Sequence, residues 1–282
     1  MQICRSIDSL RDQLADWRQA SKTLAFVPTM GNLHAGHLKL IEEAQKTADK
    51  VIVSIFVNPT QFGPTEDFSR YPRTEADDIA ALKAQNTDLL FLPSTDEIYP
   101  AGEQTRITVD RLSALHCGAF RPGHFSGVAT IVCKLFNLVQ PDLAVFGLKD
   151  YQQLAVIRTL VRDLNLAVTL VGVDTVRETS GLAMSSRNRY LTPEEHQIAP
   201  KLYDVLCQTR CAIDAGEKNF RSLETQALLK LRSLGFIPDY FNICRSNDLE
   251  LADFSDKNLV ILTAAKLGNT RLIDNIYFAS SW

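Results

Sequence analysis

The chain lacks most of what would carry it into a membrane, onto a nucleic acid or out of the cell. Its longest apolar block, residues 51–57, is broken by Ser54, whereas a membrane-crossing helix needs about 20 apolar residues. Residues 1–17 carry charge throughout, without the apolar block of a signal peptide. There is no cationic surplus: 30 Lys and Arg stand against 33 Asp and Glu, a net charge of −3. A nucleic-acid binder would neutralise phosphates with a basic excess. None of the six cysteines forms a C-x-x-C pair. Cys207 and Cys211 lie four apart and share a helix face, but no second Cys or His pair is near them in sequence, so free thiols are expected. Neither G-x-x-x-x-G-K-[ST] nor G-x-G-x-x-G occurs, so the chain has no P-loop and no dinucleotide fingerprint. The expectation is a cytoplasmic globular protein without membrane or nucleic-acid partners. Its 282 residues suggest two domains at about 150 residues each.

What is present is an alternation of short apolar runs and longer amphipathic ones. Strands are expected at 23–27, 51–57, 88–92, 143–147 and 167–173, with helices at 36–48, 75–84, 127–139 and 151–163. The 51–57 run is apolar and β-branched, as suits a strand covered on both faces of a parallel sheet. This β–α order implies right-handed crossovers and an α/β, Rossmann-like doubly wound parallel sheet. After about residue 175 the pattern changes to helices at 193–215 and 220–234, then strands at 239–245, 258–264 and 270–277. The expected organisation is a nucleotide-binding domain at 1–175 and a smaller C-terminal α+β lid domain at 176–282.

Two segments carry chemistry. The first, Pro28 to His37, follows the first strand and opens the first helix. In an open parallel sheet ligands bind beyond the carboxyl ends of the strands, and a helix N-terminus there offers free N–H groups to phosphate. Gly31 and Gly36 allow close backbone approach, and His34 and His37, three apart, can donate to phosphoryl oxygens in one pocket. The second, Gly181 to Asn188, follows the last strand of the first domain. Ser185 and Ser186 supply hydroxyl donors and Arg187 a forked cation, suiting a loop that closes over a polyphosphate. His116 and His196 are expected to be structural or exposed.

The H-x-G-H spacing resembles the nucleotide-binding motif of the nucleotidylyltransferase and class I aminoacyl-tRNA synthetase superfamily, in which a K-M-S-K-S-type loop takes the place of residues 184–187. Further segments narrow the likeness: Val53 to Phe62 with Asn58 and Gln61, Tyr71 to Thr74, Arg121 to Val128 with His124, Phe146 to Leu154 with Lys149, Asp150 and Gln153, and Leu272 to Asn275. Together they resemble the pantoate–β-alanine ligase family over essentially the whole chain. One departure is Leu148, where the family usually has Glu.

The resemblance implies ATP-dependent condensation of (R)-pantoate with β-alanine to pantothenate, AMP and pyrophosphate through a pantoyl adenylate. It implies an ATP site at Met30, Gly31, Asn32, Leu33, His34, Ala35, Gly36, His37, Gly147, Leu148, Lys149, Asp150, Val176, Met184, Ser185, Ser186 and Arg187. His37, His34, Lys149 and Arg187 would be the catalytic groups, and Gln61 and Gln153 would orient pantoate, each amide offering a donor and an acceptor. Arg121 and His124 are candidates to meet β-alanine or pyrophosphate. Mg²⁺ would accompany ATP, with Asp77 and Asp78 as candidate ligands, and the family suggests a homodimer. A nucleotidylyltransferase would share both phosphate motifs but leaves the paired glutamines and the appended domain unexplained. A non-catalytic RNA-binding relic of a synthetase is disfavoured by the net charge.

Overall fold

The computed structural model describes residues 1–64 and 66–280; Thr65 and the last two residues lie outside the described residues. Among the described residues nine strands form two sheets. Six parallel strands, β1 (Gln2–Cys4), β2 (Leu24–Thr29), β3 (Lys50–Ile55), β4 (Leu89–Phe91), β5 (Leu143–Gly147) and β6 (Thr169–Val173), stand in the order β1-β4-β3-β2-β5-β6. Three antiparallel strands, β7 (Ile237–Arg245), β8 (Asn258–Leu267) and β9 (Thr270–Ala279), form the second sheet.

The side chains of the large sheet explain why helices lie on both its faces. Along β2, Leu24 and Phe26 join one core with Leu10, Leu14, Val128, Phe136 and Ile157. Ala25 and Val27 join the opposite core with Leu40, Ile41, Ala44 and Leu82. Period-two alternation with both faces apolar is what a doubly covered parallel sheet requires. The small sheet is likewise sandwiched. Phe241, Ile243, Leu259 and Ile261 pack on its own helices, while Cys244, Val260 and Leu262 belong to the core of the large sheet.

After β2 the chain builds outward through β3 and β4, then returns to lay β5 and β6 on β2's other side. The loops that leave β2 and β5 therefore diverge to opposite faces, opening a crevice at their carboxyl ends. The loop after β2 is the first expected phosphate segment, and the loop after β5 carries Gly147 to Asp150 of the ATP site that the resemblance implies.

Several elements depart from the sequence-based expectation. β1 and the helix Ile7–Gln19, capped by Ser6 and Ser9, precede the first expected strand. β1 is only three residues long and is fixed by pairing with β4, Ile3 opposite Leu90, which no local pattern announces. The expected helix 193–215 is two helices, Pro193–Ile198 and Lys201–Asp214, with Pro200 between them. Proline has no N–H to continue the ladder and its ring crowds the preceding turn. The helix expected from 127 begins earlier, at His124. Among the described residues no helix is long and apolar enough to cross a membrane, and all six cysteines are free.

The helix His124–Val139 approaches the turn Pro59–Gln61 so closely that a Cβ on Gly127 would stand 2.4 Å from the Thr60 carbonyl oxygen. Asn58 ties the two together by donating to the Gly127 carbonyl at 3.2 Å. Gly127→Ala is expected to lower stability by about 1–3 kcal/mol, the cost of overpacking against backbone, seen as a lower midpoint of thermal unfolding. An unchanged midpoint would show that the turn yields freely.

Candidate active site

The loop Pro28 to His37, expected to receive phosphate, is held by its backbone. Gly31 has φ +79°, and a Cβ there would meet Ile55 Cγ2 at 2.9 Å and Asp78 Oδ2 at 3.0 Å, so glycine is required. Asp78, in the first turn of the helix Glu75–Ala84, accepts the Asn32 and Leu33 N–H groups at 2.9 and 2.8 Å, one on each oxygen. Of the two metal candidates, Asp78 is therefore a buried loop anchor, while Asp77 is exposed. Among the described residues no group of three His, Cys, Asp or Glu could hold a metal ion.

His34 caps the helix Ala35–Gln45, its Nδ1 accepting the Gly36 N–H at 3.1 Å. His37 Nδ1 accepts the His34 N–H at 3.3 Å, closing a reciprocal capping box. The two rings lie 4.1 Å apart. With both Nδ1 atoms accepting, each neutral ring carries its proton on Nε2. Burial, with Lys149 as the next cause, lowers His34 from 6.5 to about 4. Burial, then His34 and Lys149, lowers His37 to about 3. Both imidazoles are therefore neutral donors near neutral pH.

Lys149 stands on the turn Leu148–Asp150 directly after β5. Its nearest carboxylate oxygen is Asp150 Oδ2 at 4.0 Å, and its side chain is 18% exposed. Leu148 points the other way. It is buried in the core of the large sheet and lies over Gly172, so it offers the cleft no side chain. The carboxylate usual at this position is thus replaced by a core contact.

The second loop meets the first. Ser186 Oγ donates to the Asn32 carbonyl at 3.2 Å, Arg189 donates to Asn32 Oδ1 at 2.8 Å, and Met184 lies against Gly36. Met184 N–H donates to the Val176 carbonyl at 3.0 Å. Ser185 caps the turn Ser186–Tyr190. Arg187 forms a forked pair with Asp67, at 3.0 and 2.9 Å, over the ring of Tyr71. Lys149, Asp150, Ser185 and Arg187 line one cavity of about 370 Å³. Met30 and Gly31 line a separate one of about 230 Å³.

Gln61 is buried; its Oε1 accepts from Asn58 at 3.0 Å and its Nε2 faces Met30 Sδ at 3.1 Å. Gln153 lines a small cavity with Lys149, Arg121 and His124. Gln61 reaches that cavity only through its backbone, since His124 Nδ1 lies 2.8 Å from the Gln61 carbonyl and Arg121 Nη1 lies 3.0 Å from His124 Nε2. Arg121 is itself forked onto Glu66 at 2.7 and 2.6 Å. Burial, then Arg121, lowers His124 to about 4. A neutral ring donating from Nδ1 and accepting at Nε2 satisfies both contacts. Gln152, beside Gln153, is structural, bonding Cys117, Leu112 and Leu115.

Sequence reasoning gave no role to Glu66 and Asp67, the counter-ions of two cleft arginines, or to Asn275. The last donates from Nδ2 to the Leu148 and Lys149 carbonyls at 2.9 and 2.8 Å. The likeness over Leu272 to Asn275 was the available signal. Away from the cleft, His116 is buried against the Leu249 carbonyl and Asn242, and His196 is partly exposed beside Glu178.

This arrangement has close counterparts. The chain is 54% identical over 278 residues to a pantothenate synthetase of Methylococcus capsulatus, covering 98% of this chain and 97% of the relative. A crystal structure of pantothenate synthetase from Thermus thermophilus superposes with TM-score 0.93 at 45% identity, over 98% of this chain and 99% of that one. A pantoate-beta-alanine ligase from Francisella tularensis, complexed with beta-gamma ATP and beta-alanine, gives TM-score 0.82 at 35% identity, covering 98% and 97%. With the pantoate-beta-alanine ligase model matching residues 2–277, the chain belongs to the pantoate-beta-alanine ligase family.

Proposed function

We propose that the crevice beyond β2 and β5 is where this chain activates (R)-pantoate with ATP and joins it to β-alanine, releasing pyrophosphate and AMP. The observation that carries this reading is the meeting of the two loops, Ser186 and Arg189 on Asn32, beside the Lys149 ammonium, whose nearest carboxylate oxygen stands 4.0 Å away on Asp150. The Francisella tularensis relative in complex with an ATP compound and beta-alanine supports the choice of ligands.

A carboxylate acylates poorly until its oxygen has attacked the α-phosphorus of ATP. Negative charge then grows on the phosphoryl oxygens and on the departing pyrophosphate. His34 and His37 would offer Nε2–H donors, Lys149 a cation, Ser185 a hydroxyl and Arg187 the N–H groups that Asp67 leaves over, while Ser186, whose one proton goes to the Asn32 carbonyl, would seat the loop. One preorganised donor of this kind is commonly worth ~3–4 kcal/mol. Neutral imidazoles suit the task, because a proton on Nδ1 would break the capping contacts that aim them. Met30 to Gly36, Gly147, Asp150, Val176 and Met184 would complete the nucleotide site, Leu148 only through its backbone. Gln61 and Gln153 would hold pantoate, with Arg121 and His124 near the incoming amine.

Mg²⁺ fits as an ion carried by the triphosphate, since it typically keeps water and phosphate ligands with one or two carboxylates. Asp77, exposed on the helix Glu75–Ala84, is the candidate from the protein. Bound there, it would neutralise phosphate charge. The reading also includes a division into domains at 1–175 and 176–282, a homodimer, and a cytoplasmic setting.

The purified chain given ATP, pantoate and β-alanine is expected to form AMP, with pyrophosphate release dependent on pantoate. Without β-alanine, release should stop near one equivalent per site. AMP formation that ignores β-alanine would overturn the reading, and a stable dinucleotide product would favour nucleotidylyl transfer.

A further inference from the structure

Asn275 lies on β9, opposite Leu262 of β8, and is 5% exposed. Its Nδ2 donates to two successive carbonyls, Leu148 and Lys149, across more than a hundred residues of sequence. Those carbonyls belong to the turn Leu148–Asp150 that precedes the helix Tyr151–Asp163. Buried carbonyls need partners, and a primary amide is the smallest neutral group with two N–H donors. A lysine or arginine here would add a second cation beside Lys149.

Asn275 is in turn fixed from behind. Its backbone N–H donates to Asp274 Oδ1 at 2.8 Å, and Asp274 takes a forked pair from Arg177 at 2.6 and 2.9 Å. Arg177 bridges to Ala183, next to Met184. Two adjacent residues of β9 thus hold the turn that carries Lys149 and the root of the loop that carries Ser185 to Arg187. The large sheet alone fixes neither relation.

We propose that Asn275 is a positioning residue for the adenylation step. By holding the Leu148 and Lys149 carbonyls it sets where the Lys149 ammonium stands relative to His34 and His37. This rests on the reading of Lys149 as a triphosphate contact. A displacement of about 1 Å in a catalytic group can cost about 10²-fold in rate, and one amide controls both carbonyls of this turn.

The test is pantoate-dependent pyrophosphate release at saturating ATP, with the KM for ATP and the midpoint of thermal unfolding, for Asn275→Ala, Asn275→Ser, Lys149→Ala and the double variant N275A/K149A. Asn275→Ala is expected to lower kcat about 10- to 100-fold. Asn275→Ser, with one donor, should fall between it and the parent. In the Lys149→Ala background the same change should cost almost nothing more, because groups acting as a unit are not additive. Should N275A fail to fold, N275S and its double with K149A carry the comparison. A parental kcat in the Asn275 variants, or the same fold loss in both backgrounds, overturns the proposal. A parental kcat in Lys149→Ala instead overturns the reading of Lys149 beneath it.

Discussion

Lys149→Ala is expected to lower kcat by about 10²–10³-fold, the effect of removing one preorganised electrostatic group from a charge-developing transition state, while the fold stays intact. The side chain is only 18% exposed, yet its nearest carboxylate oxygen lies 4.0 Å away. The ammonium is thus held in the cleft without a tight internal partner. Arg187 and Arg121 differ in this respect, each being forked onto a carboxylate. Losing Lys149 breaks no close pair, so the unfolding midpoint should barely move. A second readout is independent of turnover. Lys149 contributes to lowering both His34 and His37, so their titration, followed by NMR, should move up in Lys149→Ala. A variant with full kcat and unmoved histidines would remove Lys149 from the site.

The second large effect is expected at His37. His37→Ala should lower kcat by about 10²-fold or more, through loss of the Nε2–H donor. Two conservative variants separate chemistry from capping. Asparagine places its amide near Nδ1, so His37→Asn can still accept the His34 N–H but presents no donor at the Nε2 position; it should fold well and be as slow as His37→Ala. Glutamine reaches toward Nε2, so His37→Gln should recover part of the rate. If His37→Asn retained the parental kcat, the ring would be a cap alone.

The pH dependence follows from the same two rings. Both have folded values below the usual 6.5, at about 4 and about 3. The unfolded chain therefore binds protons that the folded one refuses. Their stabilisation is fully present above about pH 6.5 and is lost as the pH falls toward the folded values. For activity, kcat/KM for ATP reports the free enzyme and should show no inflection from either imidazole between about pH 6 and 8. A rise in kcat/KM as the pH falls through that range would mean that an imidazolium is required.

The main β–α alternation was legible from residue 23 to 173 because most of its strands and helices carry their own apolar runs, but the helix Ile7–Gln19 and the short helices Thr95–Ile98, Asp110–Ala114 and Cys117–Phe120 were not expected. It failed where an element depends on a partner, as in β1 on β4, or where one residue cuts a continuous pattern, as Pro200 does. In the site, His34 and His37 stood out because an unusual residue type repeats within one turn of chain. Asp78, Glu66, Asp67 and Asn275 did not, because an acidic or amide side chain looks the same in sequence whether it faces water or anchors a loop.

The amino-acid order alone settled which segments can become strands, helices and tight turns, since those properties reside in neighbouring residues. It also carried the family likeness, which runs through the same segments. The tertiary structure decided where charge stands and which protons are held. Arg187 faces Asp67 across 120 residues, Leu148 turns into the core, and burial beside Lys149 keeps two histidines neutral. Those outcomes depend on distances between segments remote in sequence, and such distances exist only once the sheets have packed.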